Sequence, residues 1–221
     1  MNMDDADSIE EERILTFLES MSPELTPFLS ELEKEALKEE IPIIRPQTRN
    51  LIHFLLELIC PEKILEVGTG IGFSACYMAS YAPEDVKITT IEKDKERAVE
   101  AKKSFEHFGE KITLLEGDAK EILPELQGEY ELIFMDAAKG QYGTLLPEVL
   151  RLLSSQGVLL TDNILMGGEV LNSRFAVKRR DRTIHKKMRE YLRELSQNPD
   201  LQTVLLQEGD GAALSVKKEK S

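Results

Sequence analysis

Two hydrophobic rhythms divide the chain. Up to about residue 60 apolar positions recur at helical spacing. In "PELTPFLSELEKEALKEE", Leu25, Phe28, Leu29, Leu32 and Ala36 fall on one stripe. "IEEERILTFLES" predicts an earlier helix, with Ser8 as its N-cap and glutamates in its first turn. Pro42 and Pro46 interrupt the chain, and Pro46 suits the first turn of a third helix through Leu58, stopped by Pro61. From Lys63 onward the pattern shortens to "KILEV", "KITTIE", "KITLLEG", "ELIFMD" and "GVLLTD", separated by amphipathic stretches such as 94–108 and 140–153.

Short, nearly continuous apolar runs alternating with amphipathic segments predict βαβ units around a parallel sheet covered on both faces. The end differs. "LQTVLLQEGDGAALSVKK" reads as two strands joined at Gly209-Asp210-Gly211, so the last strand should run antiparallel. The expected organisation is a single domain over 1–221, with a helical extension at 1–60 and an α/β core at 61–221.

The 221 residues carry a net charge of −13, unevenly spread. Residues 1–40 hold 13 acids and 3 bases, a net of −10, whereas 174–193 hold 9 bases and 2 acids, a net of +7. Overall acidity argues against indiscriminate nucleic-acid binding but leaves room for a local basic surface. No apolar run approaches the roughly 20 residues that span a bilayer, and the acidic start is unlike a secretory or transit segment. Cys60 and Cys76 sit in apolar contexts without metal-ligand spacing, which predicts reduced core thiols and a cytoplasmic setting.

Chemistry gathers where strands end. In "EVGTGIGFS", Gly68, Gly70 and Gly72 allow a tight turn and close approach of a ligand, and the third glycine of a dinucleotide fingerprint is replaced by Phe73. Glu92 ends the second strand, where an acid can take both hydroxyls of a ribose or simply stand at a solvated strand end. Asp118 follows the third strand and either reads an adenine or caps a helix. These positions lie on the carboxyl edge of consecutive strands, where open α/β sheets bind ligands. They favour an adenosine-containing cofactor without separating NAD from S-adenosylmethionine. Two later strands stop on oxygen-bearing side chains, Asp136 in "MDAAKGQY" and Asp162-Asn163 in "TDN". Each fits a turn as well as a ligand; Lys139 fits a solvated surface, and Tyr142 fits substrate contact or packing.

The combination of leading helices, "EVGTGIGFS", Glu92, "MDAAKGQY", "TDN" and the late "GDG" hairpin resembles the class I S-adenosylmethionine methyltransferases. More narrowly, from about residue 40 onward it resembles the metal-dependent catechol and caffeoyl-CoA O-methyltransferases, whose bacterial branch includes tRNA 5-hydroxyuridine methyltransferases. The resemblance implies a Rossmann-like sheet of seven strands with the last antiparallel. It implies Asp136, Asp162 and Asn163 as ligands of Mg²⁺, with Mn²⁺ or Ca²⁺ as alternatives, and Lys139 as catalytic base. It places Ile44, Glu66, Gly68, Ser74, Glu92, Ala119 and Asp136 around S-adenosylmethionine, and it implies a homodimer. Hard cations take such oxygen ligands, and a lysine beside a dication gives up its proton more readily than a free one.

The substrate expected from this resemblance is 5-hydroxyuridine at the tRNA wobble position, methylated to 5-methoxyuridine; the alternative is a small catechol-like or caffeoyl-CoA-like metabolite. The chain has no Trp, and Ala138 and Met166 stand where catechol-type relatives often place bulky or aromatic groups. On a helical wheel for the basic segment, Lys178, Arg182, Lys186, Arg189 and Arg193 share one face, opposite Ile184, Met188, Tyr191, Leu192 and Leu195. That face either tracks phosphates or is merely solvated. The histidines, His53, His107 and His185, show no ligand spacing.

Overall fold

The computed structural model describes residues 13–173, 175–207 and 209–219. Ser8, the expected first N-cap, lies outside the described residues, as does the acidic stretch 1–12. Helix α1 runs over 13–20, followed by α2 (Pro27–Lys38) and α3 (Pro46–Ile59). Thr26 caps α2 by accepting from the Leu29 N–H at 3.3 Å, with Pro27 in its first turn. Pro46 opens α3, which ends at Cys60 in the left-handed region.

The core then alternates β1 (Lys63–Val67), α4 (Phe73–Tyr81), β2 (Lys87–Glu92), α5 (Lys95–Phe105), β3 (Ile112–Glu116), α6 (Ala119–Ile122), β4 (Tyr130–Met135), α7 (Tyr142–Leu152), β5 (Leu153–Thr161), α8 (Arg182–Gln197), β6 (Leu201–Leu206) and β7 (Ala212–Lys217). The strands form one sheet in the order β3-β2-β1-β4-β5-β7-β6. β1 to β5 pair in parallel, while β7 is antiparallel to both of its neighbours. This is the seven-stranded sheet expected from the sequence.

Alternation along each central strand divides the core in two. Ile64, Leu132, Phe134, Val158 and Leu160 pack with α2 to α5; Leu65, Val67, Ile133, Met135 and Leu159 pack with α7 and α8. Three local expectations change. The stretch 94–108 is α-helical only to Phe105, then tightens into a 3₁₀ turn broken at Gly109. β5 starts at Leu153, four residues before "GVLLTD". The basic helix starts at Arg182, so Lys178 precedes it, and its buried side is His185, Met188, Tyr191 and Leu195, with Ile184 exposed. Cys76 is buried, but Cys60 is exposed because it sits at the α3 terminus and is not in the core. Among the described residues no helix is long and apolar enough to cross a membrane.

Candidate active site

One cavity of about 900 Å³ opens at the carboxyl edge of the sheet. Its floor begins where β1 turns. Gly68 has φ 102°, and a Cβ there would collide with the Asp136 carbonyl oxygen, so only glycine lets the first turn pass beside the end of β4. Gly72, at φ 87°, precedes α4, and a Cβ on it would meet the Phe105 ring at 2.6 Å. The Gly70 N–H donates to Glu92 Oε2 at 2.8 Å, and the Asp94 N–H donates to Glu92 Oε1 at 2.7 Å. Two main-chain donors therefore orient this carboxylate at the end of β2, on the cavity wall.

Asp118 caps α6 through the Lys120 N–H at 3.1 Å and pairs with Lys93 at 2.9 Å. The Lys93 hydrogen bond, helped by that main-chain donor, holds its carboxyl below the usual range. Its capping role is thus occupied, while it still lines the cavity with Ala119.

Glu66 lies beneath this surface. It is fully buried, accepts from the Ser74 hydroxyl and from Thr90 Oγ1 (2.5 Å), and Thr90 in turn pairs with Thr69 at 2.5 Å. Burial pushes its pKa up to about 8 against the pull of the two hydroxyls, with Asp136 and Glu92 adding repulsion. Ile44, Gly68, Ser74, Glu92, Ala119, Asp136, Lys139, Asp162 and Asn163 reach the cavity wall; Glu66 supports it from behind.

The other half forms where β4 and β5 end. The Asp136 N–H donates to Val67 O at 2.9 Å and the Asp162 N–H to Met135 O at 3.1 Å, which aligns the two acids at adjacent strand ends. Asn163, in the left-handed region at φ 61°, directs its Nδ2 to Asp136 Oδ1 at 3.1 Å and its N–H to Asp162 Oδ1 at 2.8 Å. Burial raises the pKa of both acids. That of Asp162 reaches about 6, with Asp136 repulsion as the next cause. Lys139 opposes the shift on Asp136.

The buried Asp162, the half-buried Asp136 and a carboxamide at one point make a hard-donor set with an unmet demand for positive charge, which fits an oxygen-preferring dication. Among the described residues no group of three or more His, Cys, Asp or Glu is arranged to hold a metal; a cation between Asp136 and Asp162 would take its third donor from Asn163.

Three participants lack a local signal. Thr48 of α3 donates to Asp162 Oδ1 at 3.4 Å. Arg45 grips Asp210 of the β6–β7 turn at 3.1 and 3.2 Å. Asp210 adds to the repulsion on Asp136 and Asp162. The Leu165 and Ile164 N–H groups donate to Asp210 O and Gly211 O, at 2.9 and 3.0 Å, and so dock the loop after β5 onto the hairpin. Tyr142 is a packed aromatic: it is fully buried and donates to Asp162 O at 3.0 Å.

Comparison with known proteins agrees with this arrangement. The O-methyltransferase family profile matches residues 19–218. A catechol O-methyltransferase of Niastella koreensis is 30% identical over 58% of this chain and 61% of its own length. A caffeoyl-CoA O-methyltransferase of Stellaria longipes is 30% identical over 68% of this chain and 67% of its own. Among solved structures, a Staphylococcus aureus protein provisionally named a caffeoyl-CoA O-methyltransferase superposes with TM-score 0.83 at 31% identity, covering 94% of this chain and 99% of that one. The chain belongs to the O-methyltransferase family and carries the class I methyltransferase sheet.

Proposed function

We propose that the chain is an S-adenosylmethionine- and divalent-cation-dependent O-methyltransferase acting on 5-hydroxyuridine at the tRNA wobble position to give 5-methoxyuridine. The observation that carries the reaction type is the position of Asp136. Its backbone carbonyl abuts Gly68 of the glycine turn and its carboxylate meets Asn163, so one residue joins the cofactor half and the ligand half of a single cavity.

In this reading Glu92, oriented by two main-chain N–H groups, accepts the ribose hydroxyls of the cofactor. The glycine turn lets the backbone lie against its methionine portion. Lys139 Nζ accepts the proton of the substrate hydroxyl. The resulting oxygen attacks the sulfonium methyl carbon; an O–C bond forms, the C–S bond breaks, and the pair of electrons returns to sulfur. A divalent cation held by Asp136, Asp162 and Asn163 would polarise and fix two vicinal oxygens of the acceptor. Holding donor and acceptor together supplies several kcal/mol of the barrier reduction, on the order of 7–11 in well-oriented intramolecular reactions.

The substrate rests on the basic segment. Lys178, Arg179, Arg180, Lys186 and Arg193 are exposed, while Arg182 and Arg189 bond backbone carbonyls and still add charge. Lys187 Nζ donates to Gly140 O at 3.1 Å, next to Lys139, which ties α8 to the reactive loop. The names of the relatives favour a second reading, a small catechol-type acceptor. Radiolabelled methyl transfer with and without Mg²⁺, offering 5-hydroxyuridine-containing tRNA and a simple catechol in parallel, separates the two. Label on catechol alone removes the tRNA assignment.

A homodimer belongs to the same proposal. Every residue of α1 over 13–20 is exposed, including Ile14, Leu15, Phe17 and Leu18, and Phe54 and Leu58 of α3 are also bare. Light scattering that gives a monomer mass at working concentration would remove it.

A further inference from the structure

The loop between β5 and α8 is held far more firmly than its position on the surface requires. Val170 and Val177 are buried. Arg189 Nη1 donates to Val170 O and Asn172 O, both at 3.3 Å. Arg182 donates to Val177 O at 3.0 Å and to Phe175 O at 3.4 Å. The buried His185 ring reaches Asn172 O at 3.1 Å. Three side chains of one helix are thus spent on fixing the backbone of an exposed loop. That loop turns two apolar side chains outward: Leu171 is 74% exposed and Phe175 is 89% exposed, against a fully buried Phe134.

Exposed Lys178, Arg179 and Arg180 begin three residues further on, with Arg180 also paired to Asp181 at 3.3 Å. A solvent-facing ring on a pinned backbone, flanked by unpaired-strand-attracting cations, is the arrangement on which bases stack while phosphates are neutralised alongside. Pre-pinning also lowers the ordering cost of binding.

We propose that Phe175, with Leu171 exposed on the same loop, is a base-stacking platform for unpaired nucleotides of the RNA acceptor, and that 178–180 neutralises the adjoining phosphates. This rests on the tRNA reading above and adds to it a specific recognition surface outside the cavity. Duplex regions offer no free base face, so the platform selects loops over stems.

The test uses the full chain and two RNAs: a stem-loop carrying 5-hydroxyuridine in its loop, and the same stem as a blunt duplex. Phe175→Ala should weaken binding of the stem-loop by about 5- to 150-fold, the range seen for loss of one stacked base. It should leave the slope against salt and the weak duplex binding unaltered. Phe175→Trp should restore stem-loop binding. Arg179→Glu with Arg180→Glu should weaken both RNAs and flatten the salt dependence. Because Phe175 is bare, melting of the variant reports directly that the fold is intact. Wild-type binding of the stem-loop with no loss in Phe175→Ala overturns the platform but leaves the substrate reading standing. Failure of the wild type to bind either RNA overturns both. Conversion of Phe175→Ala to a lower oligomeric mass would show that the ring contacts a second copy of this chain, which also overturns the platform.

Discussion

Glu66 is the most consequential buried acid in the molecule, and replacing it by Gln tests how it is held. Its pKa moves from 4.5 to about 8, with burial as the main cause. The folded chain therefore keeps a proton that the unfolded chain releases, and stability falls as pH rises. The loss is absent below pH 4.5, grows at about 1.4 kcal/mol per pH unit, and is complete above pH 8 at about 5 kcal/mol. The carboxyl accepts from Ser74 and Thr90, and Thr90 shares a further hydrogen bond with Thr69 in which either hydroxyl can donate, so a proton on Glu66 Oε2 reverses only the Thr90 contact and leaves the one from Ser74 in place. Gln offers a donor on one side and an acceptor on the other in the same shape, but does not titrate. Urea unfolding of wild type and Glu66→Gln across pH 5 to 8 should show the difference between them shifting by about 4 kcal/mol in favour of the variant as pH rises. At the acid end the two should be nearly equal. A difference independent of pH, with Glu66→Gln the less stable throughout, would mean that the carboxylate is ionised in the fold and would refute the argument.

Lys139→Ala should lower kcat about 10²- to 10⁴-fold, the usual worth of a positioned base, with S-adenosylmethionine affinity by calorimetry unchanged. Mg²⁺ should raise the Tm of the wild type, and Asp162→Ala should abolish that rise, because the buried one of the two strand-end carboxylates is gone; an undiminished rise would place the cation elsewhere. Gly68→Ala drives a Cβ into the Asp136 carbonyl at a positive φ. It should cost on the order of 1–3 kcal/mol of stability and remove cofactor binding, checked by melting and calorimetry on one preparation.

The parallel sheet was legible because its strands are buried on both faces, so that "KILEV" and "ELIFM" stand out as apolar runs without a helical period. Asp136 and Asp162 were legible for the same reason: an acid directly after such a run has to lie at the strand end. The start of β5 was hidden because Ser154, Ser155, Gln156 and Gly157 resemble a turn, and Gln156 does adopt φ 63° inside the strand. Arg45–Asp210 and Thr48–Asp162 pair across 165 and 114 positions, and no periodicity carries information over such separations.

Glu66 lies between these cases. Strand parity puts it on the face of Ile64, towards α4 and Ser74, and away from Leu65 and Val67. That parity implies a residue behind the glycine turn, where burial and not ligand contact governs its charge. The same alternation that builds the two halves of the core thus turns Glu66 behind the glycine turn, while Glu92, Asp136 and Asp162, at or just past strand ends, line the cavity. Glu92 and Glu66, both near the glycine turn, meet different partners: Glu92 is held by two main-chain N–H groups at the rim, whereas Glu66 lies among the Ser74 and Thr90 hydroxyls, whose pull towards the charged form burial outweighs.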